Sequence, residues 1–202
     1  SSYTIKDFTI FACAIVTDEK YKVPNRNAEI AEDAHDIVID GIKAKYISHF
    51  SDQTGNWQSQ WSSNTGFVIS GRNNIIKNCI LQYAAGPIIC VFGFGNKVLN
   101  NTILEANYTV TNSGALNTEA ACFDCEIGFN NIQNTPMQAI SYKGFKNSNP
   151  NNKGIARIHH NKIANAMTRT WDSGAIDAVA LDGQFIRIDH NEIFTTTAEG
   201  KK

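Results

Sequence analysis

One short pattern, apolar-x-x-Asn-x-Ile, returns along the chain and constrains its fold more than any other feature. It spans Ile75 to Ile80 around Asn78, Val98 to Ile103 around Asn101, and Ile127 to Ile132 around Asn130. Two more copies run from Ile158 to Ile163 around Asn161 and from Ile188 to Ile193 around Asn191. An earlier relative, Ile37 to Ile42, carries Asp40 in the Asn place. From Asn78 onward the intervals are 23, 29, 31 and 30 residues. The first interval, from Asp40, is 38, and the polar stretch SHFSDQTGNWQSQWSSNTG predicts a long loop within 48–66 that holds the excess. A unit of this length buries its apolar face only against the next copy, so the period predicts a stack.

The apolar runs are short and β-branched, and Asn sits where the chain must turn between two of them. A second run recurs after each Asn: Pro87 to Val91, Gly114 to Asn117, Ala139 to Tyr142 and Gly174 to Val179. These read as the next sheet of each coil. Stacking places Asn over Asn, and each amide can bond the coil above and below at the strand spacing of about 4.8 Å. The fold class expected is therefore all-β, a right-handed parallel β-helix (solenoid) with an Asn turn ladder, in coils of 23 to 31 residues. Leucine-rich repeats lack support because their LxxLxL signature is absent. Helical repeats lack it because neither the 3.6-residue period nor caps are present.

Length fits one continuous domain over 1–202. With 18 Lys+Arg against 19 Asp+Glu, the formal net charge of -1 supplies no basic field for phosphates, which argues against nucleic acid as a partner. No apolar run approaches the roughly 20 residues of a membrane helix, and the opening SSYTIKDFTIFACAIV lacks the basic start of a secretory signal. The chain starts without Met and ends in AEGKK just after a repeat unit, as a segment of a longer protein would. The five cysteines are an odd number, so at least one is unpaired within the chain. Cys122 and Cys125 form a CxxC without the second ligand pair of a zinc site, so the cysteines are expected as small apolar core residues, with no metal and no cofactor.

The segment Arg169-Thr170-Trp171-Asp172-Ser173-Gly174-Ala175-Ile176-Asp177, continuing through Asp182-Gly183 to Ile186-Arg187-Ile188-Asp189-His190-Asn191-Glu192-Ile193, resembles the D-x-G-A-I, D-G, I-x-H-N-x-I run of glycan-active β-helix proteins. Together with the repeats from about 36 to 194, the chain resembles the pectin-lyase-like superfamily. That superfamily holds lyases, glycoside hydrolases, epimerases, phage tailspikes and surface proteins, so the resemblance implies the fold more narrowly than the activity.

If Ile176 faces the core, alternation turns Asp177 outward, and aligning Ile176 with Ile140 and Leu116 sets Ser141 and Asn117 beside it. Two residues on, the same face carries Val179, Lys143 and Glu119. Asp177, Glu119 and, on the preceding turn, Asp172 then lie on coils about 5 and 10 Å apart, the range over which paired carboxylates act on a glycosidic bond. These three are the candidate catalytic residues, and Lys143, Arg169 and Trp171 are the candidate substrate-binding residues, Trp171 as a face for a sugar ring and Arg169 for an acidic one. Scattered Asp, Glu and Lys also serve merely to keep an exposed face soluble. Calcium is a weaker use of the same carboxylates, because they are spread over loop, strand and turn.

His160 and His190 occupy equivalent positions beside the Asn turn and should stack one coil apart as a structural imidazole pair. Phe92-Gly93-Phe94-Gly95-Asn96 reads as a turn between coils, and Asn100 and Asn107 open glycosylation sequons. Two functions follow as expectations. The first is a carbohydrate-active protein, a glycoside hydrolase acting on a polysaccharide or oligosaccharide, with a polysaccharide lyase using Lys143 or Arg169 as its nearby variant. The second is a noncatalytic stalk, filament subunit or adhesin segment that associates end to end through open coil ends. Either places the protein outside the cell or on its surface.

Overall fold

The structure, a computed structural model, describes residues 2–17, 34–47, 66–143, 154–171, 173–179 and 185–194. The predicted 48–66 loop lies outside them except for Gly66. The described residues are all-β, and every strand pairing is parallel. The first sheet stacks β1 (Tyr3–Lys6), β3 (Ile37–Asp40), β6 (Ile75–Lys77), β9 (Lys97–Leu99), β12 (Glu126–Gly128), β15 (Ile155–His159) and β18 (Phe185–Asp189) in that order. The second stacks β2 (Thr9–Phe11), β4 (Lys43–Lys45), β7 (Ile80–Gln82), β10 (Thr102–Leu104), β13 (Asn131–Gln133), β16 (Lys162–Ala164) and β19 (Glu192–Phe194). The third holds β5 (Phe67–Ile69), β8 (Ile89–Phe94), β11 (Leu116–Phe123), β14 (Ile140–Lys143) and β17 (Ile176–Val179). Each coil passes through the sheets in turn and pairs with the coils before and after it, a parallel β-helix-like arrangement. No helix among the described residues is long and apolar enough to cross a membrane.

Every coil sends the same positions inward. Ile39, Ile76, Val98, Ile127 and Ile158 form one apolar column, and Ala44, Leu81, Ile103, Ile132 and Ile163 form a second, all at 1% exposure or less. The third sheet contributes Phe67, Ile89, Leu116 and Ile140, followed on the same face by Ile69, Val91 and Tyr142. Tyr142 stays in the core because its hydroxyl donates to the Cys122 carbonyl at 2.7 Å, and burial pushes the ionisation of that hydroxyl well above its ordinary range.

The Asn ladder is present, with its first rungs shifted by one residue from the sequence reading. Ile76, not Ile75, pairs with Val98, so Asn78 lies opposite Asn100 and Cys79 opposite Asn101. Likewise Val38 pairs with Ile75, which puts Ile42 rather than Asp40 at the ladder position. The consequence shows in burial, since Ile80 is 39% exposed while Leu81 is fully buried. Adjacent Asn100 and Asn101 make the text fit either register, and a one-residue slip exchanges the two faces.

The buried ladder therefore runs from Asn101 through Asn130 and Asn161 to Asn191. The Asn101 amide donates to Asn130 Oδ1 at 3.1 Å, Asn130 to Asn161 Oδ1 at 2.9 Å, and Asn161 to Asn191 Oδ1 at 2.9 Å. The same oxygens accept the backbone N–H groups of Asn101, Asn130 and Asn161, and the amides also donate to the carbonyls of Ile76, Val98 and Ile127. At the far end Cys79 ends the run, its N–H donating to Asn101 Oδ1 at 3.0 Å. A shorter ladder, Asn74 over Asn96, does the same work at the corner that leads into the first sheet.

Each corner also needs one residue in the left-handed region. The corner between the first and second sheets uses Asp7, Gly41, Asn78, Asn100, Phe129, His160 and His190, with φ from 51 to 69°. The corner after the second sheet uses Ala12, Tyr46, Tyr83, Glu105, Asn134 and Asn165. These side chains point away from the core and stack on their equivalents. Tyr46 and Tyr83 stack at 5.1 Å, and Asn165, Asn134 and Glu105 form a surface hydrogen-bonded row. The Phe92 to Asn96 segment departs from expectation, because Phe92 to Phe94 belong to β8 and the corner falls only at Gly95 and Asn96. Of the two sequons, Asn100 is exposed, while Asn107 is fully buried and its amide donates to the Thr111 and Ser113 carbonyls.

Replacing Asn130 by Ala should leave the Asn101 N–H and a donor to the Val98 carbonyl unreplaced. A loss of about 2–4 kcal/mol is expected at roughly 1–3 kcal/mol per buried group left unpaired. Equilibrium denaturation of the variant beside the unmodified chain measures it, and an unchanged midpoint would remove the ladder as a source of stability.

Candidate functional site

The third sheet has two faces, and its outer one carries the predicted site. Strand pairing sets Asp177 beside Ser141 and Ser141 beside Asn117, and it sets Lys143 beside Val179, as alternation from Ile176, Ile140 and Leu116 requires. What the sequence did not show is cover over this face. Asn117 and Ser141 are at 0% exposure and Lys143 at 6%, and Val68, Cys90 and Phe92 form a small apolar cluster on the same face of the preceding coils. Asp177 is half-buried.

Asn117 Nδ2 and Oδ1, Ser141 Oγ, Ser113 Oγ, Gln138 Oε1 and Ser173 Oγ are buried with no hydrogen-bond partner. All belong to β11, β14 and the turns leading into β11, β14 and β17. Those turns sit side by side, since the Ala115 N–H donates to the Gln138 carbonyl and the Ala139 N–H to the Ala175 carbonyl. The same kind of atom occurs elsewhere among the described residues only at Ser70 Oγ. Unpaired buried polar groups are few in native folds and cost roughly 1–3 kcal/mol each, so their concentration in three adjacent coils asks for an explanation. Gly114 keeps its turn close to this row, because a Cβ there would meet the Ser141 nitrogen at 2.6 Å.

The other predicted residues are distributed unevenly. The Lys143 ammonium donates to the Asn112 carbonyl at 3.2 Å, which ties it to the turn before β11. Arg169 is exposed on the turn leading into β17, its N–H donating to the Pro136 carbonyl, and Trp171 on the same turn is 70% exposed. Asp172 lies outside the described residues. Glu119 belongs to β11 where its pairing with β8 shifts register between Thr118 and Cys122, and its side chain lies outside what is described. Asp177 and Lys143 thus share one face, and neither of the other two predicted carboxylates has a described position.

The cysteines also depart in part from expectation. Cys79 and Cys90 are buried thiols, and burial raises the Cys79 thiol to about 11. Cys122 and Cys125, expected as simple core filling, form a buried disulfide, because the β11 irregularity brings their Cα atoms to 5.6 Å. Cys13 is exposed.

A second cluster, on the first sheet and its corner, was missed. Pairing aligns Lys97, Glu126, Arg157 and Arg187 across four coils, and beside them Gly128, His159 and Asp189. Lys97 pairs with Glu126 at 3.0 Å, and the opposite Glu126 oxygen meets His159 Nε2 at 3.0 Å. Burial raises the Glu126 carboxyl, but the hydrogen bonds from Lys97 and His159 outweigh it and hold the group below its ordinary value. His159 is buried because it lies over Gly128, where a Cβ would come within 2.8 Å of the imidazole. Arg157 donates to both Asp189 oxygens at 3.0 and 2.7 Å, and Arg187 and His190 reach the same carboxylate at 3.1 and 2.7 Å. The Arg157 guanidinium foremost, then His190 and Arg187, hold the Asp189 carboxyl well below the usual range. The signal was in the text, since each of Lys97, Glu126, Arg157 and Arg187 lies four residues before its ladder Asn. The expected stack of His160 on His190 is present at 4.9 Å and 3°.

No protein-family model matches the chain, and neither a curated protein nor a solved structure matches it.

Glu126 and Asp189 are both depressed in the folded chain, so the stability they contribute is complete at neutral pH and above their unfolded values. It is lost as the pH falls below about 4 towards the lower folded values. Asp189→Asn should therefore lower stability at pH 7 and flatten its fall on acidification. Urea midpoints measured across the acid range check this, and parallel acid limbs for the two proteins would refute it.

Proposed function

We propose that the chain is a right-handed parallel β-helix of the pectin-lyase-like kind that acts on a polysaccharide, as a glycoside hydrolase, at the outer face of its third sheet. The observation that carries this reading is Asp177, half-buried on the outer face of β17, with Arg169 and Trp171 exposed on the turn leading into that strand. A sugar would approach at Asp177 and this turn, since Asn117 and Ser141 farther along the face are covered. Asp177 would serve as one of the two carboxylates of glycosidic cleavage, with Asp172 or Glu119 as the other. Trp171 and Arg169, on the turn into β17, would bind the adjoining sugar.

The disulfide between Cys122 and Cys125 supports an extracellular or surface location, where such bonds persist.

A noncatalytic reading, a stalk or filament segment, is favoured by one observation. Ile188 and Ile193 continue the two apolar columns, yet they are 45% and 49% exposed where Ile158 and Ile163 are fully buried. Another β-helix coil would cover them, and end-to-end association would appear as a mass that rises with concentration in sedimentation, whereas a constant monomer mass would count against it.

For the hydrolase, release of reducing ends from a polysaccharide panel should fall at least about a hundredfold in Asp177→Asn, with the circular dichroism spectrum unchanged. Full turnover in that variant would dismiss Asp177, and unsaturated products from the unmodified chain would replace hydrolase by lyase.

A further inference from the structure

The corner that leads from the third sheet into the first is closed alike in two successive coils and differently in the next. Strand register aligns Gly71, Gly93 and Cys122, and three residues on it aligns Asn74, Asn96 and Cys125. Gly-x-x-Asn in two coils thus becomes Cys-x-x-Cys in the third. The N–H groups of Lys97, Glu126 and Arg157 donate to the carbonyls of Asn74, Asn96 and Cys125 at 2.8, 3.0 and 2.9 Å, so Cys125 takes the Asn position of its coil. The residue before that position is left-handed each time, at Asn73, Gly95 and Asp124, with φ from 51 to 63°.

In the two Asn coils a side-chain amide fastens the corner. Asn74 Nδ2 donates to the Ala34 carbonyl at 3.2 Å and Asn96 Nδ2 to the Gly71 carbonyl at 3.0 Å, each in the coil below. Asn96 Oδ1 accepts the Asn74 N–H at 2.8 Å, but Cys125 has no such oxygen, so the relay of N–H to side-chain oxygen stops at Asn96. The Cys125 sulfur nevertheless stands in for the amide nitrogen, 3.8 Å from the Gly93 carbonyl below it and 3.5 Å from the Phe123 carbonyl of its own coil. As a disulfide that sulfur carries no hydrogen and donates to neither, and the covalent bond to Cys122 holds the corner instead. As a thiol the same sulfur has a hydrogen and two carbonyl acceptors. Cys122, at 1% exposure, is a small side chain that suits a core in the thiol form. The corner therefore accommodates both redox states.

The bond also sits between two other parts of the fold. The Tyr142 hydroxyl donates to the Cys122 carbonyl at 2.7 Å, and Glu126, the partner of Lys97 and His159, follows Cys125 directly.

We propose that Cys122 and Cys125 form a reversible thiol–disulfide switch that fastens or loosens this one corner while the stack stays folded. A dithiol opens it by two electrons. The protein S–S bond breaks, each cysteine sulfur takes a proton, and the two sulfurs of the dithiol join. Both cysteine sulfurs are buried, so exchange proceeds through opening of the corner. The switch does not depend on the carbohydrate reading.

The test compares the full chain, oxidised and in excess dithiothreitol, with two double variants. Cys122→Gly with Cys125→Asn rewrites the corner as Gly-x-x-Asn, and Cys122→Ala with Cys125→Ala removes both kinds of fastening. Alkylation mapped by peptide mass follows the pair apart from Cys13, Cys79 and Cys90, which are free thiols. Reduction of the unmodified chain should lower its urea midpoint by about 1 M and leave its circular dichroism spectrum in place. The Glu126 and Arg157 amides should then exchange hydrogen at least about tenfold faster relative to those of Asn131 and Lys162, which bond across the Asn ladder. Reoxidation should reverse each change. The Gly–Asn variant should keep one midpoint with and without dithiol, above that of the alanine variant. Resistance of the pair to the dithiol, unfolding on reduction, or equal acceleration of exchange throughout the chain would overturn the switch. A Gly–Asn variant that is unfolded, or no more stable than the alanine variant, would overturn Cys125 as the stand-in for the amide.

Discussion

A chain that turns a corner between two strands of a stacked coil leaves backbone N–H and C=O groups facing an apolar interior, where water cannot reach them. In this protein that obligation is met by a side-chain amide repeated at the coil spacing. Asn101, Asn130 and Asn161 each accept from the coil below through the oxygen and donate through the nitrogen both to a carbonyl of that coil and to the next Asn oxygen above. From Asn101 to Asn161 the rungs are satisfied by neighbouring coils, so the corner is stable only as part of a stack, and the dependence runs from neighbour to neighbour as it does in other repeat architectures. The column of Ile and Val beside the ladder shares the constraint, since strands that meet their neighbours in register bring like side chains together.

The same corner dictates what the surface looks like. A single left-handed residue just before the ladder turns its side chain outward, and its equivalents in successive coils lie one above another. Small amides there continue the hydrogen-bonded style of the interior, with Asn100 donating to Asn78 and Asn78 to Asp40. Where the residue is aromatic the coils stack rings instead, first Phe129, then His160 and His190. The imidazole pair is therefore a by-product of corner geometry that has been given chemical context by Glu126 and Asp189 on the adjoining sheet. Gly128 completes that context by leaving room for the His159 ring that joins Glu126 to His160.

The third sheet treats its polar groups differently. In the ladder every buried amide is paired, whereas beside Asp177 the amide of Asn117 and the hydroxyls of Ser141, Ser113 and Ser173 are buried and unpaired. Asn117 and Ser141 lie at equivalent positions of successive coils as the ladder amides do, so repetition explains their alignment, while Ser113 and Ser173 lie on the turns leading into β11 and β17. Repetition does not explain why one row is satisfied and the other is not. The difference separates polar groups that hold the stack together from polar groups that a covered face leaves unpaired.

Sequence alone determined the repeat, the β character of its runs and the use of Asn at the turn, because these follow from local chemistry that each copy states for itself. It also aligned Asp177 with Ser141 and Asn117 and stacked His160 on His190, since equal offsets from a repeated landmark survive stacking. Only the tertiary structure decided the register of the early coils, where Cys79 and Ile42 take the places read for Asn78 and Asp40, because register is settled by the whole apolar face against its neighbour. It alone showed that the outer face of the third sheet is covered, that Cys122 and Cys125 join, and that His159 lies between Glu126 and His160. The contact of His159 with Glu126 depends on which side chain a neighbouring coil places within 3 Å, roughly thirty residues away in the chain, and the disulfide depends on the irregularity in β11, neither of which a local preference carries.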